Sequence, residues 1–541
     1  MKILKGHGPL FLVSTVIVLL ILLPTLTLIS ELFSPIGENW EHIKEFLLKE
    51  YILNTVILVL ATGLITGVIG TYLSWMLSHY DFNYNKLLYI ILFLPMAIPP
   101  YIAGYVYGGI FNYGGTLERL FMKWDLTPIR LDMLSMSGAV FVFSVFLMPY
   151  VILVTKSFFS RLPASYFESS NLLGKNASET FLRIILPLSR GAIIGGVVLV
   201  MLEVLNDYGL VKYFGIPTFS TAIYTTWFGL GDISSAIRLA SILMLIVVLI
   251  LSSEHALRGR KRISLSRANS KSYTRKKASK PSRITFYIVY TLYVTAGLLI
   301  PLMQLSSWSL MALDNVNVEG LIHTFKDTVI MATIVTILVL FCGIFIGNFN
   351  RLVKTKISKA YARVVVIGYS IPASIIAVAV MMFFITLDRN FSWIYKSLSL
   401  KSNFLMGSLM MLIFALTIRF MAIGFNSIES GFNKMGNKYY EASTLLGKSS
   451  IQTFIKVDFP LLRPALLSAA ILTFVDVLKE LPLTLILRPF NYDTLATKVF
   501  VYAGDEMIHE ASIYALMIIG LSTVSLIFMQ FILKERKNAK N

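Results

Sequence analysis

Twelve long apolar runs constrain this chain more than any other feature of its sequence. A helix needs about 20 mostly apolar residues to cross the hydrocarbon core of a bilayer. Six runs precede a polar stretch and six follow it, at 10–29, 51–77, 87–110, 136–154, 187–205, 236–251, 284–305, 329–347, 364–387, 404–424, 465–478 and 513–533. Because no run alternates at a period of two, they predict helices rather than a barrel, and hence an all-α membrane protein of about twelve transmembrane helices.

The composition agrees with a surface that faces lipid. Only 14% of the 541 residues are charged, whereas a soluble domain averages about 25%. The first run lacks a small-residue cleavage site and is therefore expected to stay as a helix. The single cysteine, Cys342, excludes an intrachain disulfide and is interpreted as a packing residue within an apolar run.

The charge distribution predicts how the bundle is oriented. The net charge is +19, and the stretch 254–283 alone carries eleven Lys or Arg residues against one Glu. Basic loops remain in the cytoplasm, so this linker and both termini are expected on the cytoplasmic side of a cell inner membrane. A basic run can also bind nucleic acid or anionic lipid. Its position between two spans favours a flexible tether, with membrane lipid and no nucleic acid among the expected partners.

An internal repeat divides the chain into two halves. Residues 166–192 and 439–465 share 13 identities in 27 positions, at a constant offset of 273 residues. The offset also aligns 54–55 with 327–328, and Ile98-Pro99 with Ile371-Pro372. The repeat predicts a duplication, with one half at 1–253, the linker at 254–283 and the other half at 284–541. Two six-span halves should be related by a pseudo-twofold axis along the membrane normal.

Each copy of the repeat holds a Glu, a Gly and a Pro at the same spacing. A glycine that ends a helix adopts positive φ easily, and a proline fits the first turn of the next helix, where its missing N–H costs nothing. The pattern therefore predicts a short helix, a sharp turn and a new helix. A plain amphipathic loop with a helix stop is the other interpretation. The residues are Glu168, Gly174 and Pro187 in the first copy, and Glu441, Gly447 and Pro460 in the second.

This pattern resembles the cytoplasmic loop signature of type I ABC importer permeases, which reads Glu-Ala-Ala, three residues, Gly, nine residues, then Ile-x-Leu-Pro. The copies end in Ile184-Ile185-Leu186-Pro187 and Val457-Asp458-Phe459-Pro460. The resemblance implies a binding-protein-dependent importer subunit whose two loops dock onto two copies of a cytoplasmic ATP-binding subunit. It also implies that the two glutamates orient the loops and that the two glycines shape their turns.

The chain itself is expected to perform no chemistry. Gly447-Lys448-Ser449 resembles the end of a phosphate-binding loop, but Ala442 stands where that loop needs a further glycine. The six histidines are scattered, without the spacing of a metal motif. No catalytic residue, no cofactor and no stable metal ligand is predicted.

Acidic residues inside predicted spans are the candidates for a translocation path. Glu203 and Asp207 lie four residues apart on one helical face, and the repeat puts Asp476 and Glu480 at the equivalent positions. Carboxylates are expensive in a membrane and usually face a cavity or a partner. They could line a path for a hard cation such as Fe(III). Alternatively, they cap helix ends or pair with Lys479, Arg488 or Lys212.

The expected substrate follows from a second resemblance. The segments 206–224 and 479–498, the latter continuing to 504–506, are similar to those of fused ferric iron permeases. This implies iron delivered by an extracytoplasmic iron-binding protein, which would dock on these segments outside the membrane. Related permeases for thiamine or phosphonates are an alternative. A secondary transporter driven by protons or sodium would also have twelve spans, but it leaves the repeated loops unexplained.

Overall fold

A computed structural model describes residues 8–31, 35–127, 131–258, 275–397 and 404–538 of the chain. Within these ranges, eleven helices are long and apolar enough to cross a membrane. A twelfth span is formed if a pair of helices bent by 86° is taken as one. The predicted all-α membrane fold is confirmed.

The spans are numbered 1 to 12 in chain order. They comprise Gly8–Thr27, Trp40–His79, the bent pair Asn85–Ala97 and Pro100–Lys123, Met136–Phe159, Ala177–Asn206, Ile233–Leu257, Lys280–Ala312, Val318–Val353, Ala373–Asn390, Leu409–Met435, Ser450–Leu478 and Ile508–Met529.

Shorter elements connect the spans. The first loop helix, Ala164–Leu172, lies between spans 4 and 5, and the second loop helix, Lys438–Leu445, lies between spans 10 and 11. The other short helices are Gly209–Tyr213, Phe219–Tyr224, Lys356–Ser370, Ser392–Ser397, Pro482–Leu487 and Leu495–Gly504. Strands β1 (Tyr80–Asp81) and β2 (Lys276–Lys277) form a parallel pair.

The two halves repeat the same order of elements. Spans 4 and 10 begin at Met136 and Leu409, and spans 5 and 11 begin at Ala177 and Ser450. Each pair keeps the sequence repeat's offset. Consecutive spans alternate in direction, so both loop helices lie at the end of the bundle that holds the linker. This end is called the linker side, and the opposite end the far side.

Apolar side chains cover the outside of the bundle as well as its interior. Leu64, Met303 and Val524 are each more than 60% exposed although they lie within spans. Large rings such as Phe143, on span 4, are fully buried. A helix that is apolar on all sides can bury one face in protein and leave the other to lipid.

The first span of each half packs against the opposite half. Near the start of span 1, the Thr15 hydroxyl lies 2.9 Å from the Tyr361 hydroxyl. In span 7, the Tyr290 and Tyr293 hydroxyls donate to the carbonyls of Leu88 and Leu92, each at 3.2 Å. Each first span therefore reaches across to the other half, and span 7 also packs closely against span 12 of its own half.

The third run of each half is not one continuous helix, contrary to the expectation from apolar length. Both runs break at the repeated Ile-Pro pair, where Ile98 and Ile371 take extended backbone with ψ of 111° and 124°. Proline disfavours helical geometry in the residue before it and cannot donate the next backbone hydrogen bond. The sequence shows the aligned Ile-Pro pairs, but apolar length alone predicts a continuous helix through them. The break follows from the local stereochemistry of proline.

The ends of the linker belong to regular structure. Residues 254–258 extend the helix of span 6, which ends at Arg258, and Lys280 begins the helix of span 7. Residues 259–274, which carry the middle of the predicted tether, lie outside the described residues.

We expect Gly424→Leu to destabilise the bundle where span 10 crosses span 8. A Cβ at Gly424 would overlap the side chain of Val339, so the two helices must separate. Overpacking of this kind costs about 1–3 kcal/mol, and the melting temperature of the detergent-purified protein should fall. The matched control is Gly520→Leu, because that glycine is exposed in span 12 and no atom lies within 4 Å of the position that a Cβ would take there. Equal melting temperatures for the two variants would contradict the packing.

Candidate functional site

A cavity of about 100 Å³ lies between the two halves, beside both breaks in the helices. The first half contributes Ile98 and Pro99 from its break and the end of span 5, and the second half contributes the end of span 11. All four acidic residues singled out from the sequence line this cavity, namely Glu203, Asp207, Asp476 and Glu480. The structure thus brings together residues that lie 273 positions apart in the chain.

Three of these carboxylates have partners that fix their positions. Asp207 accepts a hydrogen bond from the backbone N–H of Leu210 at 2.8 Å. Glu480 accepts from the N–H groups of Leu483 and Thr484 at 2.8 and 3.0 Å. Both therefore cap the short helix that follows them. Asp476 forms an ion pair with Lys479 at 2.8 Å. Capping and pairing, given as the alternative to a translocation path, thus coexist with a place on the cavity wall.

Two polar side chains on the cavity wall contact the break of the second half, one from each half. Asn206, at the end of span 5, accepts a hydrogen bond from the N–H of Ala373 at 2.6 Å, where the second half's broken helix resumes. Arg419, from span 10, donates to the carbonyl of Ile371 at 3.1 Å. The backbone groups released by the break at Pro372 thereby find partners inside the protein, as a membrane interior requires.

The candidate residues chosen from the sequence did not include Arg419. It lies within the apolar run 404–424, and the criterion that identified the acidic residues, a charge inside a predicted span, applies to it equally. The corresponding residue of the first half is Phe146, which also lines the cavity. The cavity is therefore symmetric in position but not in charge.

The segments expected as exterior loops are largely buried. In the first, Leu210, Val211 and Phe219 are buried, and the carbonyl of Pro217 accepts from the Asn54 side chain at 3.0 Å. In the second, residues 481, 483 and 487 are buried leucines. The two segments fold into short helices packed among the spans, and both contribute residues to the cavity wall. Docking of a binding protein on their exposed parts stays a prediction.

The two linker-side loops have the geometry that their glycines predict. Each loop helix ends at a glycine with positive φ, +71° at Gly174 and +79° at Gly447. A hydroxyl pair then ties the loop helix to the next helix, Ser170 to Thr180 at 2.7 Å and Ser443 to Thr453 at 2.9 Å. The repeat therefore preserves a folded unit and not only a sequence pattern.

The expectation that Pro187 and Pro460 start the next helix is wrong. Those helices begin ten residues earlier, at capping boxes formed by Asn176 with Glu179 and by Ser449 with Gln452. A wide π-helical turn, Phe181–Ile185 or Phe454–Asp458, then precedes each proline. The wider turn gives the proline ring room within a continuous helix.

The tips of the loops are apolar and open to solvent. Two leucines follow one another at each tip and are 76% to 88% exposed: Leu172 and Leu173 in the first loop, Leu445 and Leu446 in the second. Glu168 and Glu441 are exposed on the same loop helices. Exposed apolar patches are typical of protein or membrane interaction sites.

The two loops are anchored to the bundle by different interactions. In the first half, Trp75 packs against Phe167 and Phe181, with ring centroids 6.1 and 4.8 Å apart. In the second half, Arg351 and Asp458 form a buried two-point ion pair with N–O distances of 3.1 and 2.5 Å. The sequence held a signal for this pair, since Asp458 occupies the position of Ile185 in the repeat.

No cluster of three or more His, Cys, Asp or Glu side chains able to hold a metal ion occurs among the described residues. Three of the four cavity carboxylates, Asp207, Asp476 and Glu480, are engaged with backbone N–H groups or with lysine.

The fold and the cavity define the class of protein as a multi-pass membrane transport subunit. The family described as the binding-protein-dependent transport system inner membrane component matches residues 63–256 and 339–538, and the chain belongs to this family. Members are transport subunits rather than enzymes, and they work with ATP-binding and substrate-binding partners. The family expected from the loop motif is confirmed, in preference to a proton- or sodium-driven transporter.

Three individual relatives share 22% to 25% sequence identity with this chain. The chain is 22% identical to the Fe(3+)-transport system permease protein FbpB 2 of Haemophilus influenzae, over 71% of this chain and 74% of that protein. It is 25% identical to the ferric transport system permease protein FbpB of Actinobacillus pleuropneumoniae, over 57% of this chain and less than half (45%) of that protein. It is 24% identical to the sulfate transport system permease protein CysT of Escherichia coli, over 45% of this chain and 88% of that protein.

We expect Arg351→Met to destabilise the second half, because it leaves the fully buried Asp458 without its counter-charge. Breaking a buried pair in this way costs about 3–5 kcal/mol, and the melting temperature of the purified protein should fall clearly. Arg351→Met combined with Asp458→Ile, the residue of the first half, should recover most of the loss. A double variant as unstable as the single one would contradict this account of the anchor.

Proposed function

We propose that this chain is the permease subunit of an ABC importer that moves ferric iron into the cytoplasm. An extracytoplasmic iron-binding protein would deliver the ion on the far side, and two copies of an ATP-binding subunit would drive its passage. The observation that carries the proposal is the cavity between the halves, where four carboxylates from equivalent positions meet. The ferric permeases among the relatives support the same substrate.

The charge of the cavity favours a cation. Carboxylates outnumber basic side chains on its wall by four to two, the bases being Arg419 and Lys479. Oxygen ligands suit hard cations. The wall is therefore better suited to ferric iron than to sulfate, the substrate named for the E. coli relative.

The linker side is proposed to be cytoplasmic, together with both termini. The support is the eleven basic residues of 254–283, set against the glutamate-rich stretch that follows span 1. In this orientation the two loop helices face the cytoplasm, and the short helices that contribute to the cavity wall lie toward the outside.

The two linker-side loops are proposed as the coupling elements. Exposed leucines at each tip would enter a groove on an ATP-binding subunit, with Glu168 and Glu441 on the same helices orienting the contact. When ATP draws the two subunits together, the loops would be pushed toward each other, and the opposite sides of the cavity would open and close in turn.

The proposal is tested by uptake of radiolabelled ferric iron. The chain would be expressed with its ATP-binding subunit and binding protein in cells that lack their own ferric permease. Uptake should require both partners and should stop when ATP is depleted. An assembled complex that takes up no iron would contradict the substrate while leaving family membership intact.

We expect the double variant Asp207→Asn with Glu480→Gln to take up much less iron than the parent. Each amide oxygen keeps one capping hydrogen bond to the short helix that follows, while Glu480 loses its second acceptor oxygen and the cavity loses two negative charges. The control is Asp388→Asn, since Asp388 is also buried and caps backbone N–H groups, at 3.0 and 2.8 Å, but does not line the cavity. If both variants transport iron like the parent, the carboxylates serve only as caps.

We expect Gly174→Val with Gly447→Val to abolish ATP-dependent uptake without removing the protein from the membrane. Both glycines have open space around them, so the substitution strains only the backbone turn, by about 1–2 kcal/mol per site. Gly231→Val with Gly407→Val is the matched control, because those glycines also have positive φ, of +66° and +71°, and open surroundings but lie on the far side. Normal uptake by the first pair would contradict the coupling role.

A further inference from the structure

We propose that the linker side carries a binding site for a phosphate-bearing ligand, in a cavity separate from the one between the halves. This cavity has a volume of about 430 Å³. That volume lies in the range of pockets that hold small molecules, about 300–1,000 Å³.

Three parts of the chain that are far apart in sequence wall the cavity. The end of span 2 contributes His79 and Tyr80, and the first loop contributes residues that include Asn171 and Lys175. The segment 276–282, which joins the linker to span 7, contributes Lys276, Lys277, Ser279 and Ser282.

The charge of the lining is of one sign. The cavity is lined by three lysines and by no carboxylate among the described residues; the lysines are Lys175, Lys276 and Lys277. The nearby carboxylate of Glu179 is held by Lys175 at 3.3 Å and by Arg183 at 3.9 Å. Clustered ammonium groups with amide and hydroxyl groups beside them are the chemistry that binds phosphate.

The backbone holds the two linker lysines at the cavity. Strand β2 pairs in parallel with β1, so that Tyr80 lies opposite Lys276 and Asp81 opposite Lys277. Directly beyond the strands, Phe82 stacks on Phe286 of span 7 with ring centroids 4.2 Å apart. The lysines therefore belong to a folded element and not to a free tether.

The sequence repeat does not carry the residues of this site to the second half. The repeat offset from Lys276 and Lys277 leads to Ile3 and Leu4, which carry no charge, and Leu352 stands in the position of His79. The first loop shares this cavity with the end of the linker. If that loop is a coupling element, which rests on the proposed function, a bound phosphate group would tie it to span 7 and restrict its movement.

Binding can be tested on the purified full-length chain without any partner subunit, so that the result is independent of the proposed function. The chain would be reconstituted in phosphatidylcholine nanodiscs and titrated with glycerol 3-phosphate at constant ionic strength. In a parallel arm, the amount of phosphatidylglycerol retained after exchange from mixed-lipid nanodiscs would be measured by mass spectrometry.

The decisive variant is Lys276→Gln with Lys277→Gln, which keeps the strand pairing but removes two charges. The matched control is Lys354→Gln with Lys356→Gln, two exposed lysines after span 8 on the linker side of the other half. We expect the first pair to weaken binding by about tenfold or more, since hydrogen bonds to charged groups contribute at least this much, and the control pair to bind like the parent.

The two arms identify the source of the phosphate group. Saturable binding of glycerol 3-phosphate that depends on Lys276 and Lys277 supports a soluble phosphorylated ligand. Retention of phosphatidylglycerol with the same dependence supports a lipid headgroup. No binding in either arm, or equal loss in both double variants, would overturn the proposal.

Discussion

The structure depends on one constraint, the need of every backbone amide and carbonyl in a membrane interior for a hydrogen-bond partner. Most spans meet it with helical hydrogen bonds, but the Ile-Pro pairs interrupt span 3 and the helical run that leads into span 9. At the second break, Asn206 and Arg419 supply the missing partners from other spans. Asp207 and Glu480 do the same for the short helices that follow spans 5 and 11. Polar side chains lie between the halves because the interrupted helices there leave backbone groups that need hydrogen-bond partners. The proposed path uses the cavity beside these groups.

Duplication explains the shared architecture, and divergence explains how the halves differ. The starts of spans 4 and 5, the glycine turns and the buried hydroxyl pairs recur in the second half at the same offset. The interactions around them do not recur: an aromatic cluster at Trp75 holds the first loop, whereas the Arg351–Asp458 ion pair holds the second. The cavity lining follows the same rule, with Phe146 on one side and Arg419 on the other. A repeated frame thus carries different chemistry on its two sides.

Much of the fold could be predicted from the sequence, because long apolar runs and a repeat with a constant offset are strong signals. The acidic residues were found for a similar reason, since charge inside a span is rare. The helix breaks, the continuous helix through Pro187 and the burial of residues 206–224 could not be predicted. Each depends on local stereochemistry or on packing between distant segments, which hydropathy does not encode. Arg419 and Asp458 were within reach of the same criteria, had every charge in each span been compared between the copies.

The proposed coupling requires that ATP binding by the partner subunits moves the two linker-side loops toward each other. The distance between spin labels at Ser169→Cys and Ala442→Cys, equivalent exposed positions on the two loop helices, measures this movement in a chain whose Cys342 is replaced by Ser. We expect a shorter distance in the assembled complex with trapped ATP than in the nucleotide-free complex. An unchanged distance, in a complex that still hydrolyses ATP and imports its substrate, would contradict the proposed coupling.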